Sequence, residues 1–252
     1  MGAQITFETH IINQIKKITE PIVQKHAEEL WTVLLNEVSG DSVPRIINRQ
    51  ASPRDLFCKK VFFAYNEISI AYEGLKDIEI YIGRFPYADT NINRISHLKY
   101  HVANYMNSVY IFKERLCAYL NKARKWYKAD PRYSVLLRLV KPLFKDIENC
   151  LQPILRIRGM HVHEKEYEDP DIDRLIIIEA LIRAASVDEK FPKDLGKVKD
   201  AEYKEIRRKY RKEIKETNKS ISELLDNYFK VFLEIFFDEY ENFIYPQAIE
   251  QA

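Results

Sequence analysis

Residues 90–127 have the sequence TNINRISHLKYHVANYMNSVYIFKERLCAYLNKARKWY, the longest stretch of the chain in which one helical pattern continues without interruption. Apolar residues recur in it at the spacing that places them on one face of a helix. They are Ile95, Val102, Tyr105, Val109 and Leu116. We therefore predict one long amphipathic helix here, with this face in the protein core.

Two further helices are predicted before this stretch. The first covers residues 5–38. The second begins at Ser52, Pro53 and Asp55, which supply an N-cap, a first-turn proline and an early acid, and it ends near Gly83. The residues predicted to face inward are Ile12, Ile15, Ile22, Leu30 and Leu34 in the first helix, and Leu56, Phe63, Ile70 and Leu75 in the second.

A fourth helix is predicted after the long stretch. It begins at Asp130–Pro131 and reaches about Arg158. Pro142 and Pro153 each remove a backbone donor inside it, so we expect the helix to be bent or split there.

The C-terminal third of the chain contains two more predicted helices. Asp169–Pro170 opens a short fifth helix. A last long helix covers about residues 200–245, charged in its first half and strongly apolar in its second. The apolar residues of the fifth helix are Leu175, Ile176, Ile178 and Leu181.

The predicted fold is all-α. Only six glycines and no sustained strand alternation argue against a turn-rich β protein, and 46% hydrophobic residues exclude disorder. Because short turns connect long helices, we expect an up-and-down antiparallel bundle of about five to six long helices. We predict a single domain over residues 1–252, with a core bundle at about 52–184 and the long helix at about 200–245 packing on it.

Composition and cysteine usage limit the classes of function. The formal net charge of +2 does not by itself favour or exclude a nucleic acid partner. The chain has no apolar stretch that could span a membrane and no signal pattern, so a cytoplasmic location without membrane contact is expected. Cys58, Cys117 and Cys150 lack metal or disulfide spacing and are interpreted as reduced core residues. No phosphate-binding loop or dinucleotide fingerprint is present, and we expect no cofactor.

Four of the six histidines fall in two pairs, and the predicted hairpin brings the pairs to one height. His97 and His161 both lie 32 positions from residue 129, where the third and fourth helices are joined. The other members of the pairs are His101 and His163. The end of the second helix is expected to bring Asp77 and Tyr81 to the same place. This convergence is the best indication of a functional site.

The segment LRIRGMHVHE, residues 155–164, places an arginine before a histidine with four residues between them, twice. The pairs are Arg156 with His161 and Arg158 with His163, at a predicted helix end. Together with the all-helical layout of about residues 55–184, this motif resembles the HEPN superfamily of small helical bundles. Arg158 with His163 is the preferred match, and Arg156 with His161 is the second candidate.

The resemblance implies metal-independent RNA cleavage by a homodimer, with a role in toxin, defence or RNA-processing systems. In that chemistry a histidine transfers a proton to or from the ribose or leaving oxygen, and an arginine stabilises the charged transition state. The catalytic candidates are the two Arg/His pairs. The substrate-binding candidates are Asp77, Tyr81, His97, His101, Arg207, Arg208 and Arg211.

Two other interpretations of these residues stay open. An arginine and a histidine at a helix C-terminus can simply cap free carbonyls, with Gly159 ending the helix. Alternatively His97 and His101, one turn apart, could bind a metal together with the second histidine pair and an oxygen ligand from Asp77 or Glu164.

Residues 197–219 form a basic segment with ten Lys or Arg against five Asp or Glu. With Tyr203 and Tyr210 interleaved, it could track a phosphate backbone. The spacing of its charges favours the alternative, a solvated helix held by pairs one turn apart such as Glu205 with Lys209 and Lys212 with Glu216. The aromatic residues that follow are predicted core, with part of Phe232, Phe236 and Phe237 available to a dimer interface.

Three functions therefore remain open from the sequence. They are a HEPN-like endoribonuclease, a non-catalytic module that binds another protein, and a histidine-rich metal-binding protein. The corresponding partners are RNA, a second copy of the chain, or another protein.

Overall fold

The computed structural model describes residues 2–17, 52–84, 92–163, 169–185 and 194–250, and the described residues form seven helices. Within these ranges the only β-type contact is one isolated bridge between Phe237 and Phe243, so the all-α prediction is confirmed. The helices are α1 (residues 3–17), α2 (Pro53–Gly83), α3 (Arg94–Trp126), α4 (Tyr133–His163), α5 (Pro170–Ala185), α6 (Leu195–Phe236) and α7 (Gln247–Glu250). The rest of the predicted first helix lies outside the described residues.

Side-chain caps set where α2, α3 and α5 begin. At α2 the Ser52 hydroxyl accepts a hydrogen bond from the Asp55 backbone N–H, and the Asp55 carboxylate accepts one from the Ser52 N–H, both at 3.1 Å. The side-chain oxygen of Asn93 accepts a hydrogen bond from the backbone N–H of the second residue after it at 2.8 Å, and α3 begins there. The Asp169 carboxylate accepts a hydrogen bond from the backbone N–H two residues later at 2.9 Å, and α5 begins there. The caps satisfy N–H groups that have no partner within the helix.

The predicted inward face of α2 is wrong at three of its four positions. Leu56, Phe63 and Ile70 are 49%, 63% and 64% exposed, whereas Leu75 is fully buried. The buried face lies one residue, or about 100°, around the helix. It holds a denser set of large residues, namely Phe57, Val61, Tyr65, Ile68, Tyr72, Leu75, Ile78 and Ile82. Burying this face removes more apolar area from water than burying the other one.

The predicted face of α3 is confirmed, and α4 is not split. All five apolar positions named for α3 are at most 4% exposed. Helix α4 continues through both Pro142 and Pro153. Both prolines are on the exposed side of the helix, where water can satisfy the carbonyls that lose their partners.

Helix α6 ends nine residues before the predicted end, at Phe236. The chain reverses there because the Asp238 carboxylate accepts hydrogen bonds from the backbone N–H groups of Tyr240 and Asn242 at 2.9 and 2.8 Å. Glu241 takes a positive φ of 62° inside this turn. The Ile244 N–H then donates to the Phe236 carbonyl at 2.8 Å, which aligns the returning segment.

The chain divides into two compact units. Unit 1 comprises Met1–Glu67, Tyr119–Leu143 and Leu225–Ala252, and unit 2 comprises Ile68–Ala118 and Phe144–Leu224. The core of unit 1 is aromatic, with ring centroids 5.0 Å apart for Phe7 and Phe229 and 4.7 Å apart for Tyr119 and Phe232. The predicted dimer surface is wrong, because Phe232, Phe236 and Phe237 are 0%, 0% and 6% exposed in this core.

One buried carboxylate fastens the C-terminal segment of unit 1. Asp130, 6% exposed, accepts two hydrogen bonds from the Arg132 guanidinium at 2.8 Å and one from the Gln247 N–H at 3.0 Å. Arg132 also donates to the Tyr245 carbonyl at 3.0 Å. The hydrogen bonds and the charge of Arg132 hold the pKa of Asp130 well below its ordinary value, so the carboxylate stays ionised.

One buried amide plays a corresponding part in unit 2. The Tyr105 hydroxyl of α3 donates to the Asn218 side-chain oxygen of α6 at 2.8 Å, and the Asn218 amide donates to the Glu79 carboxylate of α2 at 3.0 Å. A single residue therefore connects three helices. Because a buried amide left without partners is costly, this network favours one register of these helices over alternatives.

The cysteines are free, as predicted. Cys58 is fully buried, and burial raises the pKa of its thiol to about 12. Cys117 and Cys150 are half-buried, and burial raises the pKa of both thiols. All three are therefore weak nucleophiles at neutral pH.

We expect Asp130→Asn to lower the free energy of unfolding by about 2 kcal/mol, because an amide cannot replace the charge-assisted bonds of the carboxylate. Since the folded pKa is lowered, the carboxylate contributes this stability above the ordinary carboxyl pKa of about 4, and the contribution is lost as the pH falls. Urea unfolding at pH 7 and pH 3 measures this contribution of the carboxylate to the free energy of unfolding. Wild type should lose more stability than the variant between these pH values, and the exposed control Glu148→Gln should behave like wild type.

Candidate nucleic-acid interface

The C-terminal end of α2 in unit 2 is capped by an arginine of α6. Arg207 donates from Nε to the Ile82 carbonyl at 2.8 Å and from Nη2 to the Gly83 carbonyl. The last carbonyls of a helix have no partner within it and carry partial negative charge. The guanidinium of Arg207 donates hydrogen bonds to these carbonyls and places a positive charge next to their partial negative charge. It thereby holds α6 against the end of α2.

A second arginine of α6 lies directly on Gly83. A Cβ atom added to this glycine would be 3.3 Å from Nε of Arg211 and 3.4 Å from its Cζ. The absence of a side chain at Gly83 therefore allows the Arg211 guanidinium to approach the backbone closely. Arg207 and Arg211 are one turn apart, so two positive charges meet at the end of α2.

The histidine pair of α3 lies beside this end of α2. The ring centroids of His97 and His101 are 4.4 Å apart, and the His101 ring is 5.5 Å from Tyr81 of α2. Tyr100 contacts the same ring at 5.1 Å. The structure thus brings together five predicted binding residues from three helices, namely Tyr81, His97, His101, Arg207 and Arg211.

The two imidazoles favour their neutral form. Burial lowers the pKa of His97 from its ordinary value, and the nearby charges of His101 and Arg207 lower it further. Burial also lowers the pKa of His101, whose Nδ1 is buried and makes no hydrogen bond to the described residues. Both rings are therefore neutral at pH 7 and able to accept a proton.

Four cations of α6 form a row on its exposed side, which we call the cationic row: Lys204, Arg208, Arg211 and Lys215. They follow one another at four, three and four residues, so they lie on one stripe about 16 Å long. None of the four forms an ion pair with another residue in the part of the chain that the structure describes.

Most other cations of this segment are paired with carboxylates. The pairs and their N–O distances are Lys197 with Asp194 at 2.9 Å, Lys199 with Glu179 at 3.8 Å, Lys209 with Asp171 at 2.7 Å, Lys212 with Glu216 at 3.9 Å, and Lys219 with Glu223 at 3.9 Å. The predicted Lys212–Glu216 pair is confirmed. The predicted Glu205–Lys209 pair is wrong, because Lys209 reaches Asp171 at the start of α5 instead.

The tyrosines of the basic segment are not available for stacking. Tyr203 and Tyr210 are 3% and 6% exposed, and the Tyr210 hydroxyl donates to the Asp169 carboxylate. Both rings face the core because they lie about 120° around α6 from the cationic row, on the buried face of the helix. The expectation of a basic aromatic surface on this helix is therefore corrected to a basic surface alone.

The remaining predicted residues are less informative. Asp77 is exposed one turn before Tyr81, Arg208 belongs to the cationic row, and Arg156 is exposed on α4. The side chains of Arg158, His161 and His163, and all of Glu164, lie outside the described residues. Among the residues that are described, no three His, Cys, Asp or Glu side chains are grouped so that they could hold a metal ion.

Sequence reasoning did not name Gly83 or Tyr100 as parts of this region, and it included Lys204 and Lys215 only within the basic segment 197–219 as a whole. For the two lysines a signal was present, because they extend the Arg208–Arg211 spacing by one turn on each side. For Gly83 and Tyr100 the sequence carries no such signal, since their importance depends on which helices are neighbours.

Comparison with known proteins found no matching family model, no matching curated protein and no matching solved structure. Among the described helices, none combines the length and apolar character needed to cross a membrane.

We expect both histidines to titrate below the ordinary histidine pKa of about 6.5. The change Arg207→Gln should raise the pKa of His97, because it removes a positive charge that disfavours the imidazolium. Histidine ring signals followed by NMR over a pH series measure both values. Arg208→Gln removes the same charge from the exposed row and should leave the pKa of His97 unchanged, so an equal rise in both variants would contradict this assignment.

Proposed function

We propose that this protein binds RNA along the cationic row of α6 and processes it in the manner of the HEPN ribonucleases. The single observation that supports binding is a straight row of four exposed cations that form no ion pair with any residue the structure describes, on a helix whose neighbouring cations are paired. Charges without a protein partner are available to phosphates, and their release of counterions makes binding favourable.

The size of the cationic row suits a nucleic acid strand. A row of about 16 Å is long enough to follow the phosphates of several nucleotides of a strand. The proposed binding is of the backbone type, in which positive side chains follow the phosphates and carry little sequence information.

The histidine pair of α3, His97 and His101, supplies groups that can transfer protons next to this row. Arg211 belongs to the row and also lies on Gly83, so a strand following the row passes the end of α2. Neutral imidazoles there can accept a proton, and arginine can stabilise a pentavalent phosphorane. In our proposal, cleavage itself is assigned to Arg158 with His163, with Arg156 and His161 as the second candidate pair.

A second candidate function is a non-catalytic module that binds another protein. It is favoured by the outer face of α5, where Ile176, Ile177 and Leu181 are 41%, 60% and 40% exposed. Exposed apolar residues grouped on one helix face are typical of interaction surfaces. Such a module would bind a protein partner through α5 and would not need the cationic row.

For RNA binding, we expect the double variant Lys204→Gln, Arg208→Gln to weaken affinity for a short single-stranded RNA by about ten-fold at low salt. The slope of log Kd against log salt should fall by about 1.4, because each lost phosphate contact contributes about 0.7. Fluorescence anisotropy at several salt concentrations measures both quantities.

Lys230→Gln is the matched control for this experiment. It removes one positive charge from an exposed position of the same helix, outside the cationic row, so it is compared with the single row variant Arg208→Gln, which also removes one. If the control weakens binding as much as a row variant, binding follows net charge and the row has no special role. If wild type binds no RNA, the protein-binding module becomes the better explanation.

For cleavage, we expect Arg158→Ala and His163→Ala each to reduce RNA hydrolysis by at least about a hundred-fold, since each removes a group that acts in the transition state. RNA binding by anisotropy and helical content by circular dichroism should stay unchanged. The measurement is hydrolysis of a labelled RNA in the presence of EDTA. Activity that vanishes with EDTA in wild type would contradict a metal-independent reaction.

A further inference from the structure

Two tyrosines beside the C-terminal end of α2, where Arg211 of the cationic row lies, have exposed rings. Tyr100 of α3 is 65% exposed and Tyr81 of α2 is 49% exposed. In unit 2, by contrast, Tyr105, Tyr203 and Tyr210 are at most 6% exposed. Large aromatic rings usually bury most of their surface, so two exposed rings at one place require an explanation.

The two rings are held together by His101. Its imidazole lies 5.5 Å from the Tyr81 ring at an interplanar angle of 38°, and 5.1 Å from the Tyr100 ring at 78°. His97 contacts the same imidazole from the other turn of α3 at 4.4 Å. The rings therefore contact one another and form one connected aromatic surface, to which two helices contribute.

Positive charge surrounds this aromatic surface. The Arg84 backbone N–H donates to the Tyr81 carbonyl at 3.1 Å, so this exposed arginine immediately follows the tyrosine turn. Arg207 is bound to the carbonyl of the residue after Tyr81, and Arg211 lies on Gly83. A ligand that stacks on these rings would thus carry its negative charge within reach of the arginines.

We infer that Tyr81, Tyr100 and His101 form a nucleobase-binding subsite beside the cationic row, at the end of α2. The inference rests on the proposed function, since the row must hold the phosphates of the same strand. A nucleobase stacks on tyrosine or histidine through its flat face, and every base has such a face. Bases inside a duplex are stacked on each other, so the subsite takes an unpaired base.

The test uses the full-length protein, its tyrosine variants and three probes of equal phosphate number. The probes are a single-stranded RNA, a duplex RNA, and an abasic strand in which the ribose phosphates lack bases. The variants are Tyr81→Leu and Tyr100→Leu, with Tyr81→Phe and Tyr100→Phe as versions that keep the aromatic ring. Tyr240→Leu, changed at a tyrosine that is 76% exposed elsewhere in the chain, is the control.

We expect each leucine variant to bind single-stranded RNA about ten-fold more weakly, because a stacking contact is lost. The phenylalanine variants and the control should bind like wild type. Binding of the abasic strand should be equal in all variants, since only its phosphates contact the protein. Circular dichroism reports whether a leucine variant has lost structure, and recovery in the phenylalanine variant confirms that the aromatic ring is what matters.

The outcomes separate this inference from the proposed function. If wild type binds RNA through the cationic row but the leucine variants bind single strands as tightly as wild type, the subsite is wrong and RNA binding stands. If the leucine variants lose affinity for the abasic strand to the same extent, the tyrosines do not contact bases and the inference fails as well. If wild type binds none of the three probes, both proposals fail.

Discussion

The arrangement of unit 2 depends on the unpaired carbonyls at the C-terminal end of α2. These carbonyls need donors, and Arg207 of α6 supplies two of them from one guanidinium. Once that bond holds α6 beside α2, the position of Arg211 on Gly83 follows, because it lies one turn further along the same helix. The cationic row is then directed along the exposed side of α6, next to the histidine pair.

Each unit also contains one buried polar residue that makes its packing specific. In unit 1 the ionised Asp130 joins the turn before α4 to the C-terminal segment through Arg132. In unit 2 the neutral Asn218 joins α2, α3 and α6. Apolar burial supplies most of the favourable free energy in both units, but it tolerates small shifts in register. A buried amide or carboxylate does not tolerate such a shift in register, because the shift leaves it without hydrogen-bond partners.

The proposed function rests on the difference between basic side chains of α6 that pair with carboxylates and those of the cationic row. A helix with ten basic residues in 23 positions can be only a solvated surface, and several of its lysines indeed end on carboxylates of α5 or of α6 itself. Four cations on one stripe of α6 form no ion pair with the residues that the structure describes. One of them, Arg211, lies at the end of α2, beside which the histidine pair and two exposed tyrosines are found. In the proposed function, different side chains at this place contact the phosphates, a base and the proton that is transferred.

The sequence by itself determined the class of fold, the starts of α2 and α5, and the buried face of α3. These features are local: a cap such as Ser52 or Asp169 bonds to residues two or three positions away, and the apolar spacing of α3 repeats within each turn. The buried face of α2 is also encoded in the sequence, because large residues recur every three or four positions from Phe57 to Ile82, whereas Leu56, Phe63 and Ile70 recur only every seven. Only the tertiary structure decided that Arg211 lies on Gly83. It also decided that Lys209 pairs with Asp171 rather than Glu205, and that Arg207 caps α2. Those choices depend on contacts between residues far apart in the chain, which periodicity and spacing do not encode.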